Sequence, residues 1–305
     1  MITVKNISKQ FSETPALDEV SFSVNTGEIA GFLGPNGAGK TTTMRIMTGF
    51  LEADAGEVLY EDKALHSDFV NIIKQVGYLP ENNPLYGEMR VDEFLLFAAK
   101  LKGNVRIDSL QKIVKATGLT ERLNENIANL SKGYRQRVGL AKALIGDVRY
   151  LILDEPTTGL DPIQKEEIIS LIKKIAKNKT ILFSSHILSE VSDIADKVVI
   201  INKGKIAASG TGKDLMSKHL KHAIVKVKTN APLKEMKIQL QKNKNISELE
   251  SNNNGKGFNL ISVSCVDPEL ASREIFRTVV KNKWELTELY TEKQSMESLF
   301  KEITK

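Results

Sequence analysis

The chain has 305 residues, 41% apolar and 27% charged, an ordinary balance for folded globular protein with room for two cores. No apolar run approaches the roughly 18–20 residues that span a bilayer, and no basic head with an apolar stretch opens the chain, so neither a membrane helix nor a secretory leader is expected. The net charge of +5 lies in the tail: residues 1–217 carry 27 basic and 27 acidic side chains, residues 218–305 carry 16 and 11. That shift predicts a domain boundary near Lys218. The tail lysines are scattered, which reads as a solvated face before it reads as contact with an acidic surface. A single cysteine, Cys265, excludes an internal disulfide and fits a reducing compartment. Its neighbours Val263 and Val266 look like strand, so a buried thiol is expected.

In chain order, Ile2, Val4 and Ile7, then Val20, Phe22 and Val24, alternate as half-buried antiparallel strands around a turn at 12–15. Ile29 to Leu33 is wholly apolar, as in a buried parallel strand. A glycine-rich loop follows, then a helix from Lys40 that stops at Gly49. Residues 91–145 are mostly helical in pattern, with Phe94, Leu95, Phe97, Ala98 and Leu101 on one apolar face. Buried strands return at 150–153, 180–183 and 198–201, with a helix over 165–176. This order predicts an α/β parallel sheet divided in sequence by a helical insert at about 88–146. Beyond Lys218 the pattern reads strand 223–228, helix through Leu240, polar turn 252–257, strand 260–264, helix from Pro268 through Val280 and strand 284–290. A small α+β domain of split-βαβ, ferredoxin-like type is predicted.

Gly34-Pro35-Asn36-Gly37-Ala38-Gly39-Lys40-Thr41 fits G-x-x-x-x-G-K-T, placed between an apolar strand and a helix. Its glycines let backbone N–H groups converge on anionic oxygens, and the start of the helix, including Thr42, adds a positive field. Lys40 would reach β- and γ-phosphates through charge-assisted bonds of roughly 1.5–3 kcal/mol each, and the Thr41 hydroxyl suits Mg²⁺. By pattern alone, a glycine turn capping a helix competes. The apolar strand 150–153 delivers Asp154 and Glu155 at its carboxyl end, where open α/β sheets bind ligands. Asp154 suits Mg²⁺, and Glu155 suits a base that orients and deprotonates water; alone, the pair reads equally as a strand ending before Pro156. Ser131 and Gly133 open a further helix, either as an anion site or as a simple cap.

With Leu130-Ser131-Lys132-Gly133-Tyr134-Arg135-Gln136-Arg137 between them, these motifs resemble the ATP-binding subunits of ABC transporters. The family pattern Leu-Ser-Gly-Gly-Gln is kept at Ser131 and Gly133 and departs at Lys132 and Tyr134. The resemblance implies a P-loop ABC ATPase over 1–217, with an N-terminal antiparallel β subdomain and the helical insert, and an accessory α+β domain over 218–305. It implies ATP hydrolysis with Mg²⁺ and a head-to-tail pair of copies, Ser131 and Gly133 of one meeting the γ-phosphate held by residues 34–41 of the other. Asp161, in Gly159-Leu160-Asp161, matches the dimer-contact loop, and His186 matches the histidine that touches the γ-phosphate. Phe11 matches the aromatic that stacks on adenine; by itself it reads equally as a core residue. Glu81 stands where many members have Gln, as a Mg²⁺ ligand or a positioner of water.

The implied partners are a second copy and an integral-membrane permease that holds the chain on the inner, cytoplasmic face of the cell membrane; no nucleic acid is expected. Residues 78–86 and 131–137 are similar to the ATP-binding subunit linked to bacterial gliding motility, within the exporter-type (ABC-2) class. The tail, from Asp267 through Ile275 to Ser295-Met296-Glu297-Ser298-Leu299-Phe300, is similar to an accessory domain common there. A soluble ATPase of the same fold is the alternative. Ribosome-acting relatives usually carry two cassettes, however, and DNA-repair relatives long coiled coils, and neither is present. A GTPase-like switch would want Asn-Lys-x-Asp; Asn202-Lys203-Gly204-Lys205 lacks the Asp and reads as a turn. His66, His219 and His222 have no supporting context.

Overall fold

The computed structural model describes all residues except 104, 178, 220–222, 241–244, 253–256, 293–296, 298, 299, 301, 302 and 305, and for side chains also except 216–219, 251 and 252. Met1–Gly212 with Ile303–Lys305 forms one compact unit, and Lys213–Glu302 forms another. Residues 253–256 of the turn predicted over 252–257, His222, and Ser295, Met296, Ser298 and Leu299 of the tail lie outside the described residues.

The first unit opens with β1 (Ile2–Phe11), β2 (Thr14–Val24), β3 (Ile29–Leu33), α1 (Lys40–Met47), β4 (Ala55–Tyr60), β5 (Lys63–Ala64), α2 (Phe69–Lys74) and β6 (Val76–Leu79). It continues with α3 (Val91–Lys102), α4 (Ile107–Ala116), α5 (Lys132–Ala143), β7 (Tyr150–Leu153), α6 (Pro162–Ile175), β8 (Thr180–Ser185), α7 (Leu188–Ser192), β9 (Lys197–Asn202) and β10 (Lys205–Gly210). An antiparallel sheet runs β2-β1-β4-β5, and a second sheet runs β10-β9-β3-β8-β7-β6. The second is parallel apart from its β10 edge, which folds back through the Lys203–Gly204 turn. β3 is buried at every position and sits between β8 and β9, as its unbroken apolar run requires. Ile2, Val4, Ile7, Val20 and Val24 of the first sheet pack with Phe32, Ile152, Leu182 and Val199 of the second and with Met44 and Met47 of α1. Each such fully buried side chain contributes about 1.5–3 kcal/mol.

The helical insert has its own core, in which Val91, Phe94, Leu95 and Ala99 of α3 meet Leu110, Val114, Leu119, Ile127, Val138 and Ala141. The single apolar face expected for α3 is therefore corrected: Phe97 is 38% and Leu101 74% exposed. Phe97 lies at the rim of the buried stripe against Tyr86, and Leu101 keeps the angular register of Phe94 two turns on but lies past Ala99, the last core residue of α3. The helix expected over 165–176 begins earlier, at Pro162, because Asp161 caps it by accepting from the Gln164 N–H at 2.9 Å.

α8 (Gly212–His219) leads to β11 (Ala223–Thr229), α9 (Leu233–Leu240), β12 (Ile246–Asn252), β13 (Asn259–Cys265), α10 (Pro268–Lys281) and β14 (Leu286–Glu292). The antiparallel order β12-β13-β11-β14 and the β-α-β-β-α-β sequence are ferredoxin-like. Val225, Val227, Ile261 and Val263 pack under Met236, Leu240, Ile275 and Val279. Cys265 is buried there, and removal from water pushes its thiol pKa up. β12 had no place in the sequence reading. Its seven residues include only two apolar side chains, and it is a strand because it pairs with β13 at the sheet edge.

Gly77 in β6 lies against the end of α5, where an added Cβ would sit 2.1 Å from the Ala143 carbonyl oxygen. Gly77→Ala must push strand and helix apart and should cost about 1–3 kcal/mol. A lower urea midpoint at an unchanged slope is the expected result.

Candidate functional site

The carboxyl ends of β3, β6, β7 and β8 meet at one edge of the parallel sheet. They surround a cleft of about 340 Å³ lined by Ala16, Asn36, Gly37, Gly39, Lys40, Thr41, Thr42, Glu81 and Glu155. The loop that leaves β3 can only be glycine at two positions. A Cβ on Gly34 would lie 2.5 Å from the Ile201 carbonyl oxygen; Gly39 has φ +108°, and its Cβ would lie 2.9 Å from the Ala16 carbonyl oxygen. α1 then begins with no side-chain cap, so its leading N–H groups keep their donor capacity. Gly34, Pro35 and Ala38 do not line the cleft but shape it from behind. The Lys40 ammonium donates to the Gly34 and Pro35 carbonyls at 2.7 and 3.2 Å, and the Ala38 carbonyl accepts from Gly204 N–H at 3.0 Å.

The acidic pair diverges as expected of adjacent residues. Ser184 Oγ donates to Asp154 Oδ1 at 2.7 Å and accepts from the Glu155 N–H at 2.8 Å, so one hydroxyl orients both residues. Asp154 is fully buried, and Glu155 is buried at the cleft wall with φ +48°, the left-handed region that non-glycine residues rarely adopt. Glu155 Oε1 lies 3.3 Å from Lys40 Nζ. Its Oε2 accepts from Thr158 Oγ1 at 2.9 Å and lies 2.9 Å from His186 Nδ1. Burial lifts the Asp154 carboxyl above the usual carboxylate range; the Ser184 and Thr41 hydroxyls pull it back, Glu155 pushes it further and Lys40 opposes that.

Asp154 Oδ2 and Glu155 Oε1 are buried without a hydrogen-bond donor. Acceptor oxygens of this kind, beside N–H groups, an ammonium and the Thr41 hydroxyl, fit a divalent cation that arrives with a polyphosphate. Among the described residues no group of three acidic, histidine or cysteine side chains could cage a metal alone. The remaining ligands of an octahedral Mg²⁺ would come from phosphate and water.

The other predicted residues lie outside the cleft. Phe11 ends β1 half-exposed, its ring 6.0 Å from Lys9 Nζ, so the core reading of this residue is wrong. Ser131 caps α5 by accepting from the Tyr134 N–H at 3.4 Å. Gly133 is buried against Gln164, the residue whose N–H is capped by Asp161, so the starts of α5 and α6 adjoin, with Ser131 and Asp161 exposed at one surface. The sequence reading missed Ala16 and Ser184. The only available signal for Ser184 was two polar residues, Ser184 and Ser185, ending an apolar strand beside His186.

Residues 17–158 match the ABC transporter family. The chain is 37% identical over 216 residues to the uncharacterised ABC transporter ATP-binding protein YhcH of Bacillus subtilis (strain 168), covering 70% of this chain and 71% of that one. It is 36% identical over 208 residues to the bacitracin transport ATP-binding protein BcrA of Bacillus licheniformis, covering 68% of each. The solved structure of an ATP-binding subunit of an ABC transporter superposes with a TM-score of 0.65 at 30% identity, covering 72% of this chain and 92% of that chain. The chain belongs to the ATP-binding subunits of ABC transporters. This ABC subunit is an ATPase of the P-loop cassette fold; residues 36, 37 and 39–42 of its motif loop line the cleft described above with Glu155, and Asp154 is buried next to Glu155. Among the described residues of the ABC subunit, no helix is long and apolar enough to cross a membrane.

Because Asp154 is raised by burial, ionising it lowers folding stability. That penalty is absent below the ordinary carboxylate pKa and sets in as pH rises through the raised value. Asp154→Asn at neutral pH should therefore raise the melting temperature of the nucleotide-free protein. The same substitution should abolish the melting shift that Mg²⁺ and ATP produce together, so thermal melts with and without both ligands check the two halves.

Proposed function

We propose that two copies of this chain close head-to-tail on ATP and pass the work of binding and hydrolysis to a separate integral-membrane permease. The observation that carries the reading is a separation of parts. Lys40, Asp154, Glu155 and His186 gather at the cleft, while Ser131, Gly133 and Asp161 gather on another surface of the same unit. A second copy would bring that surface to the first copy's cleft.

In this reading the N–H groups of Asn36, Gly37 and residues 39–42 and the Lys40 ammonium hold the phosphates, and Phe11 offers its exposed face to adenine. Thr41, Asp154 and Glu81 would hold Mg²⁺, which supplies neutralisation of the phosphate charge when bound. Glu155 orients the attacking water and takes its proton. His186, bonded to Glu155 through Nδ1, presents its other ring nitrogen to the γ-phosphate. Ser131 and the Gly133 N–H of the second copy close the phosphate from the far side.

The permease reading is supported by an apolar cleft of about 590 Å³ beside the Glu81 segment, lined among others by Phe50, Tyr78, Pro80, Pro84, Ala98 and Leu101. Phe50 is 75% and Leu101 74% exposed, an arrangement suited to an apolar helix end of a membrane partner. The permease would hold the chain at the cytoplasmic face of the cell membrane. Residues 78–86 and 131–137 support the narrower reading of an exporter-type (ABC-2) subunit serving gliding motility. The division into an ATPase over 1–217 and an accessory domain over 218–305 belongs to the same proposal.

Glu155→Gln removes the base and keeps the residue's size, so ATP should bind and not turn over. Sedimentation with ATP and Mg²⁺ should then show a stable dimer, and a variant that stays monomeric at high concentration counts against shared sites. Deleting residues 218–305 should leave ATP affinity in place, since no phosphate motif lies there; a folded truncation with no measurable nucleotide binding overturns the division.

A further inference from the structure

Glu190, in α7, is a carboxylate with only 8% of its surface exposed, and the reacting groups described above make no use of it. Its Oε2 accepts two hydroxyl hydrogen bonds at once, from Ser185 Oγ at 2.7 Å and from Thr157 Oγ1 at 2.8 Å. Its Oε1 lies 3.2 Å from Lys165 Nζ of α6. A carboxylate removed from water loses several kcal/mol of solvation unless it is paired, so these three partners determine where the group can sit.

Two of the partners flank the reacting pair. Ser185 ends β8, and its Oγ also accepts from the Ile187 N–H at 2.9 Å. The hydroxyl gives its one proton to Glu190 and uses a lone pair to hold the residue beyond His186, which brackets the histidine from both sides. Thr157 lies two residues past Glu155, in a turn that must hold a non-glycine residue at φ +48°. Thr158 ties that turn to Glu155 Oε2 from within, and the Thr157 bond anchors it from outside. One carboxylate oxygen therefore fixes both arms whose ends, His186 Nδ1 and Glu155 Oε2, meet at 2.9 Å.

We propose that Glu190 is a positioning residue for ATP hydrolysis, setting the separation of Glu155 and His186 by clamping Thr157 and Ser185 on a single oxygen. This rests on the reading of Glu155 and His186 as the reacting pair. Misplacement of a reacting group by an ångström is enough to slow a step by up to about a hundredfold without weakening binding.

The test is steady-state ATPase and MgATP binding for the full chain, alongside Glu155→Gln. Glu190→Ala should lower kcat about tenfold or more while KM and nucleotide affinity stay within about threefold. Glu190→Gln, which still offers one oxygen to both hydroxyls, should recover kcat to within about threefold of the parent. Thr157→Val added to Glu190→Ala should cost nothing further, because the hydroxyl bond it breaks, to Glu190, is already lost. Should Glu190→Ala fail to fold, Thr157→Val removes one arm of the clamp with little change of shape and carries the same kcat-only expectation. Parental kcat in Glu190→Ala, an equal loss of affinity and turnover, or a glutamine variant no better than alanine overturns the proposal. If Glu155→Gln itself hydrolyses ATP normally, the underlying reading is what fails; if it is inactive and Glu190→Ala is normal, only the clamp fails.

Discussion

Parallel pairing of β3, β8, β7 and β6 holds Leu33 against Ser185, Phe183 against Leu153, and Leu153 against Leu79. The phosphate loop, the acidic pair, His186 and the Glu81 segment each begin within two residues of those positions. A one-residue slip of β7 would turn Asp154 and Glu155 to opposite faces, because side chains alternate along a strand. The register is held by strands that are apolar on both faces, so the chemistry at the edge depends directly on burial in the middle of the sheet.

The site itself works against folding. Burial disfavours the charged form of Asp154, Asp154 Oδ2 and Glu155 Oε1 make no hydrogen bond, and Glu155 holds an uncommon backbone conformation. Hydroxyls offset part of this: Ser184 serves both acidic residues, Thr158 serves Glu155, and Ser185 and Thr157 bond the neighbouring Glu190. The remainder falls on the core between the two sheets. Strain of this kind is what a preorganised site requires, since groups that relaxed to satisfy one another would not be available to phosphate and metal.

The surfaces divide the labour in the same unit. Polar groups at the sheet edge line the cleft, the capped starts of α5 and α6 form a separate polar surface, and the exposed apolar residues of α3 and the β6 loop form a third. Phe97 and Leu101 belong to that third surface. Their exposure explains why an apolar pattern on α3 was too wide for its own core.

Much of this was legible in one dimension. The loop 34–41, the apolar strand before Asp154, the start of α10 and the hairpin at Lys203–Gly204 all depend on residues within a few positions of each other, and local spacing reports local geometry. The partners of Asp154 and Glu190 did not show, because Ser184 lies thirty residues from the first and Thr157 thirty-three from the second. A serine in a strand looks the same whether its hydroxyl meets water or a carboxylate. β12, the outward turn of Phe97 and the exposure of Phe11 were likewise settled by what each segment packs against. The amino-acid order thus determined which chemical groups exist and which short elements carry them. Only folding decided which groups meet, because burial and strand register act between residues far apart along the chain.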